Sequence, residues 1–156
     1  MSACIEIFTD GSCHTQQRAG AWASVVMFNG NKIELSGDCA DTTHNRMELS
    51  AVISAIRYTD ENKMVAPIVV YTDSQYVSLM PERKEKIKQK NYRTNQGTMM
   101  QNADLVETLI NQIETHDIRF NKVKAHQKGS DSITLLNTEV DKLSRELVRK
   151  QVKFGK

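Results

Sequence analysis

The chain has 156 residues, of which 39% are hydrophobic and 26% charged, and its formal net charge is +2. That length suits one domain with a substantial core, expected to span residues 1–156, and the composition excludes a disordered or fibrous chain. No apolar run approaches the ~18 residues of a membrane span, and "MSACIEIFTD" lacks the basic and apolar regions of a signal peptide.

Cys4, Cys13 and Cys39 are odd in number and without metal-type spacing, which reads as free thiols in a reducing compartment, with the cytoplasm as the expected location. In chain order, Ile5, Ile7 and Phe8 predict a first strand that stops at Asp10. "AGAWASVVMF" (19–28) predicts a second strand, and Asn29-Gly30 a tight hairpin into a third, "NKIELSGDCA". From about Asn45 to Arg57, Met47, Ala51 and Ala55 together with Leu49, Val52 and Ile56 give the broad apolar face of a helix. "APIVVYTD" (66–73) is a continuously apolar strand of the kind buried on both faces. A brief helix through Tyr76 and Val77 is expected to end near Met80, where Pro81 sets it apart from the next segment.

Residues 82–93, "ERKEKIKQKNYR", carry six basic and two acidic side chains, a local +4 that leaves −2 for the rest of the chain. A basic segment on a mildly acidic body suits contact with a polyanion, and equally suits a solvated helix face. Leu105, Val106, Leu109, Ile110 and Ile113 form one helical stripe that Asn102 can cap. "DIRFNKVKAH" (117–126) predicts the last strand, "QKGSDSIT" a loop, and Val140, Leu143, Leu147 and Val148 a final helix. A hairpin meander followed by alternating strands and helices implies an α/β fold, a mixed sheet with helices on its faces.

Asp10 and Asp73, 63 residues apart, thus both end predicted strands. Ligand sites of open α/β sheets collect at that edge. Two carboxylates brought together there repel unless one takes a proton or a cation lies between them, and oxygen ligands suit Mg²⁺ or Mn²⁺. Each acid also has an ordinary explanation. Asp10 and Asp73 can open turns, and Asn45 with Glu48, like Thr138 with Asp141, has the spacing of a helix capping box.

Four segments together, "FTDGSC", "TTHNRMEL", "YTDSQYV" and "KVKAH…NTEVDKLSREL", resemble the type 1 ribonuclease H family in order and surroundings, over roughly residues 4–150. The resemblance implies a ribonuclease H-like mixed five-stranded sheet with helices on both faces. It implies hydrolysis of the RNA strand of an RNA–DNA hybrid, leaving 5′-phosphate and 3′-hydroxyl ends, with two Mg²⁺ ions (or Mn²⁺) held by Asp10, Glu48, Asp73 and Asp141. His126 falls where the family has a loop histidine that assists proton transfer or product release. Cys13, Gln16, His44, Asn45 and Gln75 fall at positions facing the minor groove of the hybrid, and Thr43 and Asn102 at positions that hold a DNA-strand phosphate. The segment with Lys86, Lys88 and Lys90 matches the family's substrate-handling protrusion, but its tryptophans are missing here and Tyr92 is its one aromatic residue. The loop from His126 to Asp141 is longer than usual, with "GSDSITLL" inserted. A monomer without membrane contact is expected. A DNA nuclease of the same fold, or a binding module that has lost catalysis, are the competing readings, and the presence of all four acids weighs against the second.

Overall fold

The computed structural model describes residues 3–124, 129 and 131–154. Strands β1 (Ile5–His14), β2 (Ala19–Phe28) and β3 (Asn31–Cys39) form an antiparallel meander. Asn29 and Gly30 turn β2 into β3 with φ of 51° and 77°, the left-handed pair that a two-residue hairpin demands. Helix α1 (His44–Glu61) leads to β4 (Ile68–Thr72), and two short helices, α2 (Gln75–Ser78) and α3 (Met80–Gln89), come next. Helix α4 (Ala103–Thr115), strand β5 (Ile118–Lys122) and helix α5 (Ser132–Phe154) complete the chain.

The sheet order is β3-β2-β1-β4-β5, with β4 parallel to both β1 and β5, so the sheet is mixed and five-stranded as expected. Alternation along the strands divides the core in two. Ile5, Ile7, Val26 and Val70 pack with Leu49, Val52 and Ile56 of α1 and Leu109 and Ile110 of α4. Phe8, Ala23 and Val25 face the other way, onto Val140 and Leu143 of α5. Helices therefore cover both faces. Phe8 stacks on its parallel neighbour Tyr71 with ring centroids 4.7 Å apart. No helix among the described residues is long and apolar enough to cross a membrane.

Several boundaries depart from expectation. Strand β1 does not stop at Asp10 but runs to His14, because its antiparallel ladder with β2 continues to His14–Ala19. The parallel ladder with β4 does end there, at Thr9–Thr72. Thr43, not Asn45, caps α1, its hydroxyl accepting from the Arg46 amide at 3.3 Å, so the Asn45–Glu48 capping box does not form. Helix α5 begins at Ser132, with the Asp131 side chain accepting from the Thr134 amide at 3.2 Å. Much of the inserted "GSDSITLL" is thus helix, and Thr138 and Asp141 lie inside it. Asn102 precedes α4 in the left-handed conformation (φ 63°) and makes no capping bond. Pro81 belongs to the first turn of α3, where its missing N–H costs nothing.

Candidate active site

Asp10 is the first residue of β1 beyond the parallel ladder, and Asp73 directly follows β4. Adjacent parallel strands therefore deliver both carboxylates to one sheet edge. Glu48 arrives from the first turns of α1. Gly11 lets that helix approach: a Cβ there would lie 2.5 Å from the Glu48 backbone nitrogen and 2.6 Å from the Met47 carbonyl carbon. Ligand oxygens of Asp10, Glu48 and Asp73 all lie within 4.8 Å of one another. Asp141 of α5 lines the same open cleft of about 740 Å³ but stands outside that triad, 3.5 Å from its helix neighbour Arg145.

The cluster carries an electrostatic load. Burial, then the charges of Glu48, Asp73 and Asp141, push the Asp10 carboxyl up to about 9, against a lowering hydrogen bond from Ser144. Ser144 Oγ lies 3.0 Å from Asp10 Oδ2 and 2.9 Å from Ser12 Oγ, which fixes Asp10 against α5. Burial and the Asp73 charge raise Glu48 as well, while His44 opposes the rise. Glu48 Oε1 is buried without a hydrogen-bond partner. A buried carboxylate oxygen with nothing to bind, beside two more carboxylates, is the donor set of a divalent cation rather than of a buried hydrogen-bond network.

Against this geometry, a family model described as RNase H matches residues 2–149. The chain belongs to the RNase H family. It is 32% identical over 152 residues to the ribonuclease H of Chlorobium chlorochromatii, covering 96% of this chain and 99% of that one. It is 31% identical over 147 residues to that of Caldicellulosiruptor saccharolyticus, with 93% and 96% covered. Among solved structures, LC9-RNase H1, described as a type 1 RNase H with the type 2 active-site motif, superposes with a TM-score of 0.80 at 20% identity, covering 97% of this chain and 74% of that one. The PFV RNase H domain gives 0.75, also at 20%, with 94% of each covered. These two likenesses concern the fold.

The other sequence-derived positions fall into groups that family membership alone does not sort. Cys13, His44, Asn45 and Gln75 line the acidic cleft, and the Cys13 thiol points to the Thr42 carbonyl at 3.5 Å. Burial pushes that thiol up, and all three cysteines are free. Gln16 is exposed in the turn between β1 and β2, next to the cleft rather than in its lining. Thr43, His44, Asn45 and Asn102 share a neighbouring cavity of about 300 Å³ with Gln101. Lys86 and Lys90 line a third, of about 310 Å³, with Arg83 and Arg93. Lys88 turns away, its ammonium 2.7 Å from Glu114 of α4. His126 lies outside the described residues.

Residues that the sequence reading passed over complete the site. Arg46 forks onto Asp104 through two 3.0 Å bonds and reaches Asn102 at 3.3 Å, joining the starts of α1 and α4. Arg46 stands inside "TTHNRMEL", and Ser144 one helical turn from Asp141, so proximity to the quoted motifs was the available signal.

Proposed function

We propose that this chain is a metal-dependent endonuclease that hydrolyses the RNA strand of RNA–DNA hybrids, leaving 5′-phosphate and 3′-hydroxyl ends, with Asp10, Glu48, Asp73 and Asp141 holding the metal. One observation carries the reading. Three carboxylates from β1, α1 and the end of β4 converge within 4.8 Å in an open cleft, and two of them are buried. The unpartnered Oε1 of Glu48 and the upward push on Asp10 both express a missing positive charge, which supports a cation there. These carboxylates would hold Mg²⁺ or Mn²⁺, two ions per site in this reading, and the metal would supply activation of the attacking water and stabilisation of the leaving oxygen in an in-line displacement.

The chain's own residues do the rest. Ser144 holds Asp10 in place through its hydroxyl. Asn45 and Gln75, with Cys13 and Gln16 beside them, supply polar contacts to sugars and base edges of a shallow minor groove. Thr43 and Asn102 frame a cavity at the start of α1 and α4, where helix amides favour a phosphate of the DNA strand. Lys86 and Lys90 with Arg83 and Arg93 form a basic groove for backbone further along the hybrid. His126 takes the role of moving a proton or helping product leave, as an imidazole can near neutral pH. A monomeric unit and a single domain over residues 1–156 belong to the same reading. The free thiols fit a reducing, cytoplasmic setting.

Cleavage of end-labelled hybrid, duplex DNA and duplex RNA, each with Mg²⁺ or EDTA, tests the reading. Internal cuts in the RNA strand of the hybrid alone, and only with metal, are expected. Cleavage of duplex DNA would transfer the site to a DNA nuclease, and no cleavage of any substrate would leave a binding module.

A further inference from the structure

His44 opens α1 one turn before Glu48, so the ring and the carboxylate lie on the same face of the helix. Its Nε2 lies 2.9 Å from the carbonyl oxygen of Gly11 and 3.1 Å from Oε2 of Glu48. Both partners are acceptors, so Nε2 carries the proton and donates to both. The His44 side chain is 62% exposed and that of Glu48 2%, so an exposed ring reaches down onto a buried carboxylate. With Oε2 held, the carboxylate has one oxygen left, and Oε1 is the buried atom without a partner. The second acceptor belongs to the residue after Asp10, so one ring also ties the start of α1 to the strand bearing another acid of the triad.

Resting on the reading of Glu48 as a metal ligand, we propose that His44 is a positioning residue: it fixes the Glu48 carboxylate so that Oε1 faces the cation, and it sets the separation of α1 from β1 at the site. This differs from the groove-facing contact that the family resemblance implies for the same position. A substrate contact acts only when hybrid is bound. A positioning hydrogen bond acts on the metal with no nucleic acid present.

The test is calorimetric titration of Mn²⁺ into the full chain without hybrid, for the unmodified protein, His44→Ala, His44→Gln and Glu48→Gln. Thermal unfolding of each variant confirms the fold. Outer-shell partners of a metal ligand are typically worth about 10- to 100-fold in metal affinity, and a loss in that range is expected for His44→Ala. His44→Gln, whose amide can still donate, recovers most of it. The Mn²⁺ concentration for half-maximal cleavage moves by the same factor. If Glu48→Gln loses Mn²⁺ while His44→Ala binds it within twofold of the unmodified protein, the positioning role fails and the ligand assignment stands. If Glu48→Gln binds Mn²⁺ undiminished, both fall together. A His44→Ala defect confined to the KM for hybrid would make His44 a substrate contact alone.

Discussion

Replacing Asp10 by asparagine removes an ionisable group whose charged form the metal-free fold disfavours, so this variant is expected to lose hybrid cleavage and gain stability. Asp10 is 4% exposed, and its carboxyl is pushed from 3.8 to about 9 by burial and the neighbouring acids. The sign comes from linkage. A carboxyl whose folded value lies above its unfolded one weakens the fold progressively as pH rises from about 4 toward about 9, by roughly 1.4 kcal/mol per pH unit. Taken in full, that is about 4 kcal/mol near neutral pH, and relaxation of a crowded site reduces it to on the order of 2 kcal/mol. In a domain of this size the gain corresponds to a rise in Tm of about 4–8 °C. The amide keeps an oxygen for the Ser144 hydroxyl, 3.0 Å away in the unmodified chain, so packing is preserved. Thermal unfolding in EDTA from about pH 4.5 to 8.5 gives the readout. The gap should open with pH and narrow when Mg²⁺ is added, because metal binding stabilises only the unmodified site. A variant less stable than the unmodified chain at pH 8 would refute the reasoning, as would a gap that ignores pH.

Gly11→Ala puts a methyl group 2.5 Å from the Glu48 backbone nitrogen, where no flexible side chain can yield. It should cost about 1–3 kcal/mol in denaturant unfolding and weaken metal binding as α1 shifts; unchanged stability would show that the helix moves freely. Lys86→Gln with Lys90→Gln should reduce the log–log salt slope of hybrid binding by roughly 0.7–0.9 per lost phosphate contact. Lys88→Gln should change it by much less, because Lys88 is engaged with Glu114, and equal slopes for the two variants would contradict that division. His116 sits 2.6 Å from Asp60, and although burial pulls its imidazole down, the Asp60 bond and the Gln112 carbonyl raise it on balance. Its contribution is therefore present below the unfolded value and fades as pH rises through the higher folded one. Asp60→Asn should cost about 0.5 kcal/mol near pH 5.5 and close to nothing near pH 9, and an equal cost at both would remove the charge pairing from the account.

Element types were legible because their signals are local. The Asn29-Gly30 turn, the apolar run before Asp73 and the stripe on α4 each need only a short window of sequence. Boundaries failed where a distant partner decides them. Strand β1 outlasts Asp10 because β2 keeps pairing with it, and α5 starts early because Asp131 caps it. That Asp10, Glu48 and Asp73 converge was to be expected from the family resemblance, whereas one by one the turn and cap readings competed with it. Sequence could not assign the cap of α1 to Thr43 over Asn45, since both have the right chemistry. Nor could spacing tell Lys88 from Lys86 and Lys90, because the division depends on where Glu114 of α4 lies.

The sheet order has a consequence for how the molecule acquires its chemistry. Strands β1, β2 and β3 join through short turns and can pair early, but the β1–β4 ladder closes a loop of some sixty residues. Loop-closure entropy and contact order make that the slow step. Asp10 and Asp73 meet only across this junction. Repulsion among the acids is thus deferred until the rest of the core, with Phe8 on Tyr71 and α1 against β1, is in place to overcome it. In a refolding experiment, metal affinity should be the last native property to return, after secondary structure and the stacking of Phe8 on Tyr71.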